Sequence, residues 1–584
     1  MPQTRRRRPP PRRRARRRRD GRRRLLALLI LSVLAFSAIS GRLIVLQVLD
    51  AGSLDQAAAR QRLHTIELPA TRGRIFDRNG DDLALSVPAR TVYAQPRLVR
   101  DKAATARRLA PLLGRPVARI QRRLASKTPW IYLARRLPVQ QGEAVARLKL
   151  PGIGVLGDTV RSYPSGSVAA QVLGFVGDDG KGLAGVEQQY DALLRGHAGQ
   201  VLLERDPHGR VIPQGQRSRE SPEAGTDLVL TIDQHLQYLA EQSLARAVKQ
   251  FHAKAGSVLV LDPRSGQVLT MANVPTFDPN RFQRSRPEAR KNRAVSDIYE
   301  PGSTNKTITA AAALEHRVVT PRSRITVPPA LNLCPGVKTF HDAHGHGTEV
   351  LSFADVVAQS SNIGTIQVAR ALGPQRLAKA EVDFGYGRRT GVDLPGESPG
   401  IILPLKDWRC TDLGVNAIGQ GVAVTALQMA SVYATVANGG VLVPPTLLRG
   451  MVDAGGSFEP AKQRPGRRVL SARTARTLSR ILEGVIREGG TGTLAALDEW
   501  RVAGKTGTAQ KVDPKRRGYL PGAYVASFIG YAPAERPAVV VAVVLDQPTP
   551  IYGGVVAAPV FREVAGAALR RLGVLPTLPP KAVR

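Results

Sequence analysis

The sequence predicts an α/β catalytic domain that follows a mixed α+β module and one membrane-spanning helix. With 584 residues, the chain is longer than a single hydrophobic core usually accommodates, so at least two domains are expected. Two β-branched segments, 255–262 and 538–545, predict buried strands, and long helical runs lie between them along the chain. Strands that alternate with helices are typical of a sheet covered by helices. We therefore expect a large α/β domain in the C-terminal part of the chain.

The N-terminal segment combines a basic tail with an apolar run. The first 24 residues hold 14 arginines and one aspartate, in a chain of net charge +39. Residues 25–41 are uncharged, and a further apolar run follows Arg42 up to residue 49. Such a segment predicts a membrane span, and the positive-inside rule places the arginine-rich end in the cytoplasm and the rest of the chain outside. A cleaved signal peptide and a nucleic-acid-binding arm are the alternatives.

A second, non-catalytic module is expected between the membrane span and the catalytic domain. Residues 65–69 and 91–94 predict strands, and residues 102–113 and 117–124 predict amphipathic helices, the second of them opened by Pro116. The predicted organisation is a basic cytoplasmic tail at 1–24, a transmembrane anchor at 25–49, a mixed α+β module at 50–223, a catalytic domain at 224–575 and a disordered tail at 576–584.

Three short motifs carry the chemistry of the catalytic domain. They are Ser303-Thr-Asn-Lys306, Ser360-Ser361-Asn362 and Lys505-Thr506-Gly507. Each motif alone is weak evidence, because short strings arise by chance in long chains. The three together, in this order, are typical of serine acyl-enzymes that act on D-Ala-D-Ala peptides or on β-lactams.

The first motif predicts a nucleophile and its base. Residues 300–302 predict a turn, and residues 307–314 predict a helix, so Ser303 is expected at a helix N-terminus with Lys306 one turn further on. A serine hydroxyl needs an adjacent base, and Lys306 can serve only if burial and a second cation, Lys505, lower its pKa. The alternative for this motif alone is an ordinary capped helix.

The second motif predicts a proton relay and a substrate contact. It lies between two apolar helical segments, 353–358 and 363–372, and therefore predicts a tight polar connection that faces the site. Ser360 is the candidate donor of a proton to the leaving amine, and Asn362 is the candidate hydrogen-bond partner of the substrate peptide. A simple turn between helices is the alternative.

The third motif predicts a substrate clamp on a strand at 501–508. Gly507 permits close approach of another backbone, and the strand edge is able to pair with an extended peptide. Lys505, Thr506 and Thr508 are then candidates to hold a terminal carboxylate. The backbone N–H groups of Ser303 and Thr508 are candidates for an oxyanion hole. A glycine-rich hairpin without a ligand is the alternative.

Beyond these motifs, the chain resembles a class B penicillin-binding protein over residues 25–575. Glu300-Pro-Gly-Ser-Thr304 resembles the division-specific, FtsI-type form, whereas Asn305 departs from the apolar or aromatic residue usual there. Its side chain is expected to point away from the active face. The other matching segments are Thr71-Arg-Gly-Arg-Ile-Phe-Asp-Arg-Asn-Gly80, Gly182-Leu-Ala-Gly-Val-Glu187, Leu230-Thr-Ile-Asp233, Phe277-Asp-Pro-Asn280, Asn292-Arg293, Gly419-Gln-Gly421, Ala526-Ser-Phe-Ile-Gly-Tyr-Ala-Pro533 and Tyr552-Gly-Gly554.

This resemblance implies a serine β-lactamase-like transpeptidase domain, with residues 50–223 as a pedestal that holds it away from the membrane. The implied activity is cross-linking of peptidoglycan stem peptides at the division septum, without a cofactor and with inhibition by β-lactams. Lipid-linked glycan strands, a SEDS-type glycosyltransferase and other divisome proteins are the implied partners, and nucleic acid is not expected. An elongation-specific transpeptidase and a non-catalytic β-lactam sensor or scaffold are the alternatives. A hydrolase is disfavoured because no Glu-x-x-Leu-Asn string follows Ser360.

Two further features leave alternatives open. Cys334 and Cys410 are the only cysteines, and an exported chain allows a disulfide that their spacing does not establish. His341, His344 and His346 lie close together along the chain, so that with Cys334 they suggest a zinc site. The alternative, which we favour, is a surface loop near the rim of the active site without a metal.

Overall fold

The computed structural model describes residues 17–52, 63–68, 70–204, 212, 217–453, 455–513, 515–516 and 518–579. Within them the chain divides into two compact units, one of residues 1–69 and 198–222 and one of residues 70–197 and 223–584. The boundaries at 50–223 and 224–575 stay predictions. Most of the tail predicted at 576–584 lies outside the described residues.

The described helices and strands follow one another along the whole chain. The helices are α1 Arg17–Ile44, α2 Lys102–Leu113, α3 Val117–Leu124, α4 Val139–Arg147, α5 Ala170–Leu173, α6 Gly185–Gln189, α7 Asp191–Arg195, α8 Gln234–Gln250, α9 Pro287–Arg290, α10 Arg293–Ser296, α11 Lys306–Glu315, α12 Phe353–Ala358, α13 Asn362–Leu372, α14 Pro374–Asp383, α15 Asp412–Ala417, α16 Ala426–Ala437, α17 Ala472–Glu483, α18 Gly553–Val556 and α19 Ala558–Arg571. The strands are β1 Leu63–Leu68, β2 Ile75–Phe76, β3 Asp82–Ala94, β4 Ile131–Leu137, β5 Ile153–Ser162, β6 Gly199–Glu204, β7 Arg217–Glu220, β8 Asp227–Leu230, β9 Ala255–Leu261, β10 Val268–Val274, β11 Arg324–Val327, β12 Leu331–Cys334, β13 Lys338–Phe340, β14 Glu349–Ser352, β15 Val441–Leu442, β16 Leu448–Val452, β17 Phe458–Pro460, β18 Arg467–Arg468, β19 Ala503–Val512, β20 Tyr519–Ala532 and β21 Val539–Asp546.

The first unit contains the apolar N-terminal helix and a small antiparallel sheet. Helix α1 continues into one π-helical turn at Val45–Leu49. Residues 21–49 are long and apolar enough to cross a membrane, with a mean hydropathy of 2.2 and outward-facing side chains. The sheet has the order β1-β6-β7. The predicted span at 25–49 is therefore one continuous helical segment.

The pedestal part of the second unit is a twisted sheet with helices on one face. Strand β3 pairs with both β4 and β5, and α2, α3 and α4 cover one side of these strands. Val92, Leu109 and Leu133 are fully buried between the two layers. The helices predicted at 102–113 and 117–124 have these bounds in the structure, and Pro116 precedes the second. Its fixed φ suits a helix start.

The catalytic part of the second unit is built on a five-stranded antiparallel sheet of order β10-β9-β21-β20-β19. Alternate residues of its central strands face opposite layers, as the period of two requires. Val258 and Val541 contribute to a cluster with α8 and α19, whereas Leu259 and Ala542 contribute to a cluster with α16. The sheet therefore lies between two helical layers, and β19 is its edge strand. This arrangement confirms the predicted α/β class.

Candidate active site

Ser303 lies in a single 3₁₀ turn, Gly302–Asn305, that runs directly into α11. We expected the serine at the N-terminus of an α-helix. The tighter turn differs from that expectation, but residues three apart eclipse each other in a 3₁₀ helix, so Ser303 and Lys306 still share a side. Gly302 has a φ of +55°, and a Cβ there would lie 3.0 Å from the carbonyl oxygen of Thr508. Only glycine allows this turn to approach β19 so closely.

Lys306 is buried between the second motif and the nucleophile turn. Its Nζ donates to the carbonyl oxygen of Ser360 at 2.6 Å, to Oδ1 of Asn362 at 2.7 Å and to Oγ of Ser360 at 3.3 Å. The side chain is 1% exposed. Burial lowers the pKa of Lys306 to about 7, although the nearby carboxylate of Asp342 raises it. The amine is therefore uncharged for a substantial part of the time at neutral pH.

Lys505 is also fully buried, and its pKa is lowered well below the ordinary value. Burial is the main cause, and repulsion from Lys306 adds to it. We expected burial and Lys505 to lower the pKa of Lys306. Burial does lower it, and the repulsion between the two amines disfavours charge on both of them at once.

The second motif forms the connection between α12 and α13, as predicted. Ser360 has a φ of +63°, a left-handed conformation that costs energy for a residue with a side chain. This conformation accompanies the hydrogen bond that Lys306 Nζ donates to the carbonyl oxygen of Ser360. The hydroxyl of Ser361 caps α13 by accepting a hydrogen bond from the N–H of Gly364 at 2.9 Å. Ser360 and Asn362 are half-buried, so a substrate is able to reach them.

Asp342 fixes the second motif from outside it, and sequence reasoning missed this role. Its Oδ1 accepts hydrogen bonds from the backbone N–H groups of Asn362 and Ile363, the latter at 3.0 Å. Its Oδ2 accepts from the hydroxyl of Ser361 at 2.7 Å and contacts His346 Nε2 at 3.1 Å. A carboxylate at a helix N-terminus is stabilised by the free N–H groups and by the helix dipole.

The third motif lies on the edge strand β19, which is longer than the strand predicted at 501–508. Lys505 Nζ donates to the carbonyl oxygen of Thr506 at 3.3 Å, and the hydroxyl of Thr506 lies 2.8 Å from that of Thr491. Thr508 Oγ1 accepts from the N–H of Gly553 at 3.3 Å. Thr491 is a further residue of this wall that no sequence motif indicated, whereas Gly553 lies in the matching segment Tyr552-Gly-Gly554.

Gly507 is required where β19 passes the nucleophile turn. A Cβ at this position would lie 2.4 Å from Oγ of Ser527 and 3.0 Å from Cγ2 of Thr304. The first contact is closer than a real Cβ approaches and the second is unusually tight, so a side chain here would require Ser527 and Thr304 to move. The glycine predicted to permit close approach therefore brings the third motif against the first.

Asn305, the unusual residue inside the first motif, points into the core as expected. Its Nδ2 donates to the carbonyl oxygen of Asn416 at 2.8 Å, and its Oδ1 accepts from the hydroxyl of Tyr386 at 2.8 Å. The hydroxyl of Tyr433 donates to the carbonyl oxygen of Thr304 at 3.0 Å. These buried hydrogen bonds fix the turn beneath Ser303.

Cys334 and Cys410 form a disulfide, which answers the question that the sequence left open. The bond joins hairpin β12–β13 to the segment before α15, and β13 leads directly to His341 and Asp342. The carbonyl of His341 accepts a hydrogen bond from Nδ2 of Asn362 at 2.9 Å, so this histidine segment forms part of the rim. Within the described ranges, no group of three or more potential ligands is arranged to hold a metal ion.

The structure thus brings the three motifs together. Ser303, Ser360, Asn362 and Thr508 are half-buried around the two buried amines. The arrangement provides a hydroxyl nucleophile, an amine with a pKa near neutrality, a second hydroxyl and a strand edge for a peptide. Such a set is suited to acyl transfer.

Two family models match the chain. One, described as the penicillin-binding protein transpeptidase domain, matches residues 256–566, and the other, described as the penicillin-binding protein dimerisation domain, matches residues 67–230. Together they cover most of the second compact unit.

Curated relatives and solved structures agree with these models. Penicillin-binding protein PbpB of Mycolicibacterium smegmatis is 37% identical, over 94% of this chain and 90% of that protein. Peptidoglycan D,D-transpeptidase FtsI of Escherichia coli K12 is 34% identical, over 93% and 91%. A crystal structure of penicillin-binding protein 3 from Mycobacterium tuberculosis, complexed with aztreonam, superimposes with a TM-score of 0.70 at 32% identity and covers 88% of this chain and 99% of that chain. The chain belongs to the class B penicillin-binding proteins, in which a dimerisation domain accompanies a transpeptidase domain.

Proposed function

We propose that this chain is a membrane-anchored peptidoglycan D,D-transpeptidase that cross-links stem peptides at the division septum through an acyl-enzyme on Ser303. The observation that carries the proposal is the environment of Lys306. Its amine is buried, hydrogen-bonded to the second motif, and has a pKa of about 7. A general base is most effective when its pKa lies near the working pH.

Acylation begins with attack of the Ser303 oxygen on the carbonyl carbon of the penultimate D-Ala. The hydroxyl proton passes to uncharged Lys306, and the carbonyl oxygen becomes an oxyanion held by the N–H groups of Ser303 and Thr508. The C–N bond to the terminal D-Ala then breaks as Ser360 donates a proton to the leaving amine. Lys306 Nζ lies 3.3 Å from Oγ of Ser360 and is placed to restore that proton.

Deacylation repeats these steps with an acceptor amine. The amine of a neighbouring stem peptide attacks the ester carbon and gives up a proton through Ser360, and the Ser303 oxygen leaves and takes a proton from Lys306. A new amide joins the two stems, and the enzyme returns to its starting state. β-Lactams acylate Ser303 in the same way but are released slowly.

The substrate lies along β19 as an added strand. Its terminal carboxylate is held by Lys505, Thr506 and Thr508, while Gly507 leaves space for its backbone. Asn362 hydrogen-bonds the peptide from the opposite side. Burial and Lys306 lower the pKa of Lys505, and an arriving carboxylate favours its charged form.

The family and the N-terminal helix support the proposed cellular role. The relatives include proteins named PbpB, PenA and FtsI. The arginine-rich N-terminus supports a cytoplasmic tail, a single span and an extracytoplasmic catalytic domain. A SEDS-type glycosyltransferase is the proposed partner for the span and the pedestal. Localisation of the protein at midcell would support the septal role, whereas localisation along the side wall would support the elongation-specific alternative.

A peptide-exchange assay tests the activity. The full-length protein in detergent is incubated with a synthetic stem peptide ending in D-Ala-D-Ala and with a fluorescent D-amino acid. We expect exchange of the terminal D-Ala, loss of exchange in Ser303→Ala, and no change in Ser285→Ala, a control outside the site. Hydrolysis without exchange would indicate a carboxypeptidase, and penicillin binding without either reaction would indicate a sensor.

A further inference from the structure

Within the described residues, helices pack on only one face of the pedestal sheet, and the other, open face carries aromatic side chains. Helices α2, α3 and α4 cover the opposite face. On the open face the ring centroids of Tyr93 and Trp130 are 5.4 Å apart with an interplanar angle of 32°, and the rings of Trp130 and Tyr132 are 4.2 Å apart and nearly perpendicular. Trp130 and Tyr132 are each 36% exposed, and Leu156 on the neighbouring strand is 40% exposed.

The absence of a side chain at Gly154 leaves room for the Tyr93 ring on the sheet. A Cβ at Gly154 would lie 2.2 Å from Cζ of Tyr93, so any other residue would displace this ring from its place against β5. Tyr93 faces Tyr132 on β4 and Gly154 on β5. The glycine therefore allows the Tyr93 ring to lie along the sheet, and Trp130 and Tyr132 extend the surface. The result is a ledge of two tilted rings with a third ring as its side wall.

The segment that carries this ledge is strongly basic. Residues 97–150, here called the basic lobe, hold 14 lysine and arginine residues against two acidic residues, and seven of the 14 lie on helices α2, α3 and α4 behind the sheet. The guanidinium of Arg135 lies 5.0 Å from the centroid of the Tyr132 ring, and Lys127 is exposed three residues before Trp130. A field of this sign attracts polyanions.

These features favour a glycan over an apolar protein as the ligand of this surface. An apolar helix needs a broad aliphatic surface, whereas this ledge is formed mainly by aromatic rings, with Leu156 beside them. Exposed aromatic rings with polar edges suit the mixed C–H and hydroxyl faces of sugar rings. Basic side chains beside them suit carboxylates.

We propose that the ledge of Tyr93, Trp130 and Tyr132 binds the glycan strand of peptidoglycan, with the basic lobe attracting the carboxylates of its stem peptides or, where these have been removed, of its lactyl groups. The proposal rests on the proposed function, which brings such strands to this enzyme. Binding here would hold the polymer that carries the stem peptides while the catalytic domain acts on them. The site recognises sugar rings and negative charge and requires no stem peptide.

The test measures binding of glycan strands from which an amidase has removed the stem peptides. Fluorescently labelled strands are titrated with full-length protein in detergent, and anisotropy gives the dissociation constant. We expect binding that weakens with added salt, and a dissociation constant about tenfold higher for Trp130→Ala combined with Tyr132→Ala. Tyr238→Ala, which removes a 48%-exposed tyrosine elsewhere, is the matched control and should bind as the wild type does.

Two further measurements separate the possible failures. The double variant Trp130→Phe with Tyr132→Phe keeps the rings and should retain binding, so equal loss in both double variants would overturn the stacking argument. Penicillin labelling of every variant reports on the catalytic domain independently, so its absence in the wild type would count against the proposed function alone. Binding of poly-glutamate but not of stripped glycan would show an acidic-peptide site and overturn the proposal, as would binding only of strands that keep their stem peptides.

Discussion

Replacing Asp342 by Asn tests whether this carboxylate positions the second motif and tunes Lys306. The carboxylate accepts hydrogen bonds from two backbone N–H groups and from the hydroxyl of Ser361. An amide offers a single acceptor oxygen, so at least one partner is left without a charged acceptor. Hydrogen bonds to charged groups contribute about 1.5–3 kcal/mol each. One such bond holds Asn362 and Ser360 in place in the wild type. Its loss in Asp342→Asn should slow acylation by about 10- to 100-fold.

The same substitution also shifts the pH dependence in a defined direction. Asp342 raises the pKa of Lys306, which burial sets to about 7. Lys306 acts as a base only when it is uncharged, so acylation should rise with pH through this pKa. Removing the negative charge lowers the pKa further. The midpoint of the rise should therefore move to lower pH in Asp342→Asn, while the plateau falls.

The assay is the rate of acylation by a fluorescent penicillin, measured from about pH 5 to about pH 9 so that the base titrates within the range. Asp355→Asn is the control, because Asp355 is an exposed carboxylate in the first turn of the neighbouring helix α12. It should leave both the plateau and the midpoint unchanged. An unchanged plateau in Asp342→Asn, or a midpoint that moves to higher pH, would refute the reasoning.

Three other predictions concern the two lysines, the disulfide and the topology. Lys306→Arg should fail to acylate because guanidinium stays charged, whereas Lys505→Arg keeps a cation for the substrate carboxylate and should retain some acylation; equal and complete loss of penicillin labelling in both would contradict their separate roles. The double variant Cys334→Ser with Cys410→Ser should react with penicillin at nearly the wild-type rate. It should unfold at a lower temperature in calorimetry, since a native disulfide contributes up to about 2–5 kcal/mol to the free energy of unfolding. Loss of penicillin labelling in a folded variant would show that the rim depends on the bond. An alkaline phosphatase fused after Arg584 should be active. Protease added to spheroplasts should degrade the C-terminal domain, and a domain protected from the protease would overturn the topology.

The sequence predicted those parts of the fold that depend on local pattern. The helix at 102–113 has aspartate as its N-cap and glycine after its end, and its bounds agree with the structure. The 3₁₀ turn at Gly302–Asn305 was not predicted, because its geometry depends on contact with Thr508 and Gly419, which are distant along the chain.

The candidate site was predictable where one short motif carries each role. The role of Asp342 was not predicted, since nothing local indicates that its carboxylate caps α13. The sequence set burial and a second cation as the condition for a basic Lys306, but it did not indicate the hydrogen-bond partners of that amine. Burial of a single amine, which depends on the whole surrounding core, is a tertiary property that sequence spacing does not reveal.

The most direct test of the acyl-enzyme is the position of the covalent adduct. Full-length protein is treated with penicillin, digested, and analysed by mass spectrometry, with Ser303→Ala as the comparison. We predict one adduct on the peptide that contains Ser303, at the oxygen of that residue, and none in the variant. An adduct on Ser360 or Ser361 instead, or undiminished labelling of folded Ser303→Ala, would contradict the mechanism.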